Sequence, residues 1–140
     1  MRLALLVTLM AGVAVAVQTS LTSAAQKVLG PVGLVAVSGF TTGAVALTVL
    51  LLTTRPEVTG RAVLYGVCSG FLGAFIVGSI AFSAGQQGIA RTLSLVIASQ
   101  LIVGLVLDSL GWLGTAADFS LLKAAGVALI ITGGVLVVRF

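Results

Sequence analysis

The side chains in this sequence best suited to chemistry are two primary amides, Gln18 and Gln100, and five hydroxyls, Thr22, Ser38, Thr41, Ser69 and Ser99. A primary amide offers two donors and an acceptor, and a hydroxyl offers one donor and lone pairs. Groups of this kind recognise a polar solute by hydrogen bonding. They do not by themselves move electrons or form covalent intermediates. The spacing is equally informative. Ala11, Ala14, Gln18, Thr22 and Ala25 recur at three and four residues, which places them on one helical face. Gln100, Gly104 and Asp108 form a second such stripe, with Ser99 adjacent. The chain has no histidine and one cysteine, Cys68. No nucleophile–base pair, metal-ligand spacing or phosphate-cradling glycine loop occurs. The expectation is therefore no enzyme, no metal and no cofactor.

The elements that carry these residues are set by where charge is missing. Ten of the 140 residues are charged, seven Lys+Arg and three Asp+Glu, and they sit between long apolar runs at 3–26, 28–54, 62–90, 92–107 and 124–138. A bilayer core about 30 Å thick needs about 20 apolar residues at roughly 1.5 Å rise each. The pattern predicts an all-α, polytopic membrane protein: a single transmembrane domain over 1–140 with five helices, at about 3–25, 32–53, 62–84, 92–110 and 121–138. The predicted breaks are Gln26-Lys27 with Gly30-Pro31, Arg55-Pro56-Glu57, Gly85-Gln86-Gln87-Gly88 and Gly111-Trp112-Leu113-Gly114. The Ala14-Val15-Ala16 segment imitates a signal-peptide cleavage site, but the apolar helix continues past it, which favours a first spanning helix.

On these helices Gln18 lies four residues from its midpoint, roughly 6 Å from the midplane, and Gln100 lies close to its own midpoint. A polar group at that depth must find a partner, because no water is there to supply one. The partner is either another helix, for about 0.6 kcal/mol per bond, or a solute. Asp108 lies eight residues beyond Gln100, roughly 12 Å along the axis, and reads as a solvated helix end or a proton site. Gly66, Gly70, Ala74, Gly78 and Ala81 form a small-residue stripe widened by Gly73, and Gly39 and Gly43 form a shorter one. Such stripes let helices pack closely, within a subunit or at a dimer seam. Cys68 falls inside the third run and is expected to be a buried, inert thiol.

The seven cations are scattered singly, so the net charge of +4 does not make a nucleic-acid surface. With five spans, Arg2, Arg55, Arg61 and Lys123 share one side, and Lys27, Arg91 and Arg139 share the other. Orientation follows Lys/Arg imbalance, and four against three is nearly none. The chain is thus expected to insert either way and to pair with an inverted copy. A single orientation fixed by the one extra cation is the alternative.

The order of several segments resembles the YdcZ-type family of the drug/metabolite transporter superfamily. The pieces are Val17-Gln18 with Thr22, then Gly30-Pro31, then Val37 to Gly43. Gly70-Phe71-Leu72-Gly73-Ala74-Phe75 follows, then Ala98-Ser99-Gln100-Leu101 running on to Leu107–Gly114, and finally Gly126 to Gly133. The resemblance implies a five-helix bacterial inner-membrane protein, half of an inverted-repeat transporter. Its partner would be a second copy or a related chain in antiparallel orientation, and its cargo a small organic solute. The family pattern places Asn where this chain has Thr22, which raises the prospect of a heteromeric pair. The alternatives are a dual-topology channel for a small ion or water, and a non-transporting partner subunit. Without fixed charge at depth, a neutral or weakly charged solute is the expected cargo.

Overall fold

The computed structural model describes residues 2–53, 58–111 and 120–140. The described residues fold as four helical elements: α1, Arg2–Thr53; α2, Gly60–Gln87; α3, Ile89–Leu110; and α4, Leu121–Arg139. All four are long and apolar enough to cross a membrane. The expected all-α membrane architecture is therefore present. The predicted breaks at Arg55-Pro56-Glu57 and Trp112-Leu113-Gly114 lie outside the described residues.

The two other predicted breaks shrink to one residue each. The helix expected to stop near Ala25 continues through Gln26 and Lys27, and α1 is interrupted only at Gly30 (φ 70, ψ 164). The cause is local. Pro31 disfavours the helical conformation in the residue before it and has no N–H to donate back. A glycine in that place accepts a positive φ that other residues avoid. The interruption leaves two helical arms, 2–29 and 31–53. Likewise α2 runs through Gly85, Gln86 and Gln87, and only Gly88 (φ 91, ψ 158) separates it from α3.

The chain divides into two compact units, one up to Gln86 and one from Gln87 onward. In the first, α2 packs against both arms of α1. A methyl group at Gly78 would sit 3.3 Å from the Val35 side chain. One at Gly85 would collide with the Gln26 carboxamide and come within 3.7 Å of the Ser23 hydroxyl. Near these contacts lie the buried residues of the unit: Thr19, Ser23, Leu34, Ala81 and Ala84. Small side chains dominate, as expected where apolar lipid leaves close packing to bring helices together.

In the second unit α3 and α4 form an antiparallel pair. Gly134, near the end of α4, lies 3.5 Å (from its would-be Cβ) from the Ser94 carbonyl near the start of α3. At the opposite end Asp108 and Lys123 line one groove. The joint into α3 is tied locally. The Thr92 hydroxyl donates to the Gly88 carbonyl at 2.9 Å and accepts from the Gln87 amide at 3.4 Å, with Thr92 buried.

Cys68 is exposed, against the expectation that it is buried. Every residue of α2 from 60 to 72 is exposed, so this stretch presents all its faces outward.

Candidate functional site

Four of the seven predicted solute-binding residues, and Asp108 with them, fall into three grooves. Gln18 lines a groove of about 620 Å³ along the arm 2–29, together with Leu9, Met10, Val13, Ala14, Val17 and Leu21. Among the described residues of that lining its carboxamide is the only polar side chain. Ser38 and Thr41 line a second groove, about 520 Å³, with Thr42, Val45 and Ala46 on the arm 31–53. Gln100 and Asp108 line a third, about 410 Å³, between α3 and α4. Its other walls are Leu101, Gly104 and Leu105 from α3, and Lys123, Gly126, Val127 and Ile130 from α4. Thr22, Ser69 and Ser99 line none of these three grooves.

The hydroxyls differ chemically from the amides. Thr22 donates to the Gln18 carbonyl at 2.9 Å and the Thr19 carbonyl at 3.2 Å. Thr41 donates to Val37 at 2.9 Å, Ser99 to Val96 at 2.9 Å and Ser38 to Val35 at 3.4 Å. Each proton is thus taken up by the helix's own backbone, the usual solution for Ser and Thr in apolar helices. What such a hydroxyl retains is a lone pair, so toward a solute it is an acceptor. An amide is too long and has too many donors to be satisfied this way. Gln18 and Gln100 are both exposed, and Gln100 falls at the centre of α3.

The small-residue stripes separate into two groups. A methyl at Gly78 would touch Val35, so this glycine serves packing within the subunit. At Gly39, Gly43, Gly66, Gly70 and Gly73 an added methyl would meet no atom of the described residues within 4 Å. Their faces are open.

Two features lay beyond the sequence reading. Lys123 joins Gln100 and Asp108 in one groove, which follows only once α3 and α4 are known to pair. The other is the buried polar edge of Thr19 and Ser23, with Gln26 one turn on. Its spacing of four and three residues was visible, but it lies beside the stripe through Gln18 and Thr22. Among the described residues no group of His, Cys, Asp or Glu side chains gathers to hold a metal.

No curated protein and no solved structure matches this chain. One family does, over residues 3–136, and it is the family to which the segments from Gln18 to Gly133 pointed. With nearly the whole length matched, the chain belongs to the family described as "Putative inner membrane exporter, YdcZ", and is a multi-pass transport protein of the inner membrane.

Proposed function

We propose that this chain is one half of a carrier that moves a small organic solute by alternating access, working as an antiparallel pair. In this reading α1 crosses the bilayer twice. Its 52 residues would extend roughly 78 Å as one rod, more than twice a core of about 30 Å, and Gly30 divides it into two arms of spanning length. With α2, α3 and α4 that makes five crossings and places the chain's two ends on opposite sides. An inverted partner then builds from two chains the inverted-repeat arrangement of many secondary transporters.

The observation that carries the proposal is the pair of amides, Gln18 and Gln100, each exposed in a groove on a helix long and apolar enough to cross a membrane. In hydrocarbon each must be completed by a partner chain or a cargo. Gln18 and Gln100 supply the main hydrogen bonds to the solute. Thr22, Ser38, Thr41, Ser69 and Ser99 add acceptors. The open faces at Gly39, Gly43, Gly66, Gly70 and Gly73 give the second subunit a surface to pack on.

The test is orientation. Cys68 is replaced by alanine, one cysteine is added after Phe140, and cells are labelled with an impermeant maleimide before and after permeabilisation. Comparable labelling from both sides is expected. Labelling wholly from one side would end the antiparallel homodimer and require an inverted related chain.

A further inference from the structure

We infer that Thr42 is a hydrogen-bond donor to the solute, and that the groove it shares with Ser38 and Thr41 holds a hydroxyl group of a neutral cargo. The inference rests on the carrier reading, because it names the chemical class of the cargo and adds a residue to its site.

Thr42 differs from every other threonine in the helices. Nine threonines lie within the four elements, and eight of them, Thr41 included, donate to the carbonyl four residues earlier. Thr42 is the ninth. Among the described residues its hydroxyl has no hydrogen-bond partner, and its side chain is exposed. A hydroxyl left unbonded in hydrocarbon is costly, and no water is there to complete it. Its proton is therefore free for a group from outside the subunit.

The position of Thr42 agrees with such a role. It is the midpoint of the arm 31–53 and stands twelve residues beyond Gly30, roughly 18 Å along the axis. In the carrier reading that is near the middle of a core about 30 Å thick. Gln100 stands twelve residues beyond Gly88. The residue before each, Thr41 or Ser99, gives its proton to its own helix at 2.9 Å. After both joints, then, a satisfied hydroxyl is followed by a side chain that still has a donor to offer.

The groove has a volume of about 520 Å³, within the usual range for small-molecule sites. Ser38, Thr41 and Thr42 are spaced three and four residues apart and share one helical face. Ser38 and Thr41 have given their protons to Val35 and Val37, so they present lone pairs. Thr42 presents a proton. The remaining walls, Val45 and Ala46, are apolar, and among the described residues the lining holds no charged side chain. A solute hydroxyl matches this set: its oxygen accepts from Thr42, and its proton goes to Ser38 or Thr41. A carboxylate has no proton for those two oxygens and meets no counter-charge. An ammonium leaves the Thr42 proton without an acceptor.

The experiment uses the full chain in liposomes. The probe is tritiated ribitol, a neutral polyol, and its comparator is ribonate, the same carbon chain ending in a carboxylate. Leak into protein-free liposomes is subtracted, and size-exclusion profiles verify that each variant is folded. Saturable uptake of ribitol is expected, at least tenfold above that of ribonate. Thr42→Val should lower it three- to tenfold, and Thr42→Ser should retain at least half. The thermal midpoint of Thr42→Val in detergent should not fall, because no bond within the subunit is lost.

Ribitol uptake altered less than threefold by Thr42→Val, yet lowered more than tenfold by Gln100→Leu, would overturn the Thr42 assignment and leave the carrier reading standing. Uptake indifferent to both substitutions would count against that reading as well. A lower midpoint or weaker dimer cross-linking in Thr42→Val, with uptake per dimer unchanged, would give the proton to a second copy and overturn the solute role. No saturable uptake of ribitol, or ribonate uptake equal to it, would overturn the neutral hydroxyl class. If Thr42→Val fails to fold, Thr42→Ala takes its place in each comparison.

Discussion

Gly30 and Gly88 hold nearly the same backbone conformation, φ 70 and ψ 164 against φ 91 and ψ 158, and each is the single residue that separates two long helical segments. The correspondence extends to their surroundings. Four residues after each lies a buried side chain, Leu34 or Thr92, and seven residues before each lies another, Ser23 or Ala81. Two joints made the same way thus punctuate the first three-quarters of the chain.

That conformation is open to glycine almost alone, since a Cβ meets its own backbone there. Gly30→Ala and Gly88→Ala are each expected to destabilise the folded protein by about 1–3 kcal/mol. Thermal unfolding in detergent checks this, and an unchanged midpoint for Gly88→Ala would contradict it.

Thr92 holds the second joint by its hydroxyl, bonded on one side to the Gly88 carbonyl and on the other to the Gln87 amide. Valine keeps the shape and loses both bonds, at an expected cost of about 1–2 kcal/mol. Thr92→Ser should cost less than half as much. Equal losses for valine and serine would mean that the methyl group, not the hydroxyl, secures the joint.

The glycines of α2 are expected to divide by function. Gly78→Ala presses on Val35 at 3.3 Å and should lower subunit stability or leave it level, despite the gain of about 1 kcal/mol that alanine brings to a helix. Gly70→Ala meets open space and should stabilise the subunit. Gly70→Leu should leave subunit unfolding unaltered and reduce dimer cross-linking in membranes several-fold. Full cross-linking in Gly70→Leu would remove this face from the seam.

Amide and hydroxyl should be separable in function. Gln100→Leu is expected to lower solute uptake into liposomes more than tenfold, having lost both donors. Thr41→Val loses only an acceptor, because the proton is already held by Val37, and should change uptake less than threefold. Reversal of that order would move the recognition site from α3 to the arm 31–53.

The positions of the helices were legible because charges mark the edges of apolar runs, and α3 and α4 begin and end within about three residues of expectation. The joints were less legible. Gln26, Lys27, Gln86 and Gln87 read as loop by polarity, yet a helix satisfies its own backbone wherever it lies, and the Gln26 and Gln87 amides find neighbours in the fold, at Gly85 and Thr92. Burial was not legible at Cys68, since a helix apolar on every side gives no period from which to choose a face. In the site, the stripe through Gln100, Gly104 and Asp108 was readable from spacing alone. That Lys123 meets it was not, because no rule of sequence says which helix of a membrane bundle lies beside which.

Eight threonines, at 8, 19, 22, 41, 48, 53, 92 and 132, return their protons to the carbonyl four residues earlier. Seen by a lipid chain, such a residue is close to a valine with one weak dipole. A residue-by-residue hydropathy scale therefore counts these positions as more polar than they are, and the chain is a better solute for the bilayer than its letters suggest. The corollary concerns discrimination. With so many hydroxyls muted, the vocabulary left for telling one cargo from another reduces to a few unmuted groups, Gln18, Gln100 and Asp108 foremost, and exchanging any one of them should change what is carried before it changes whether the protein folds.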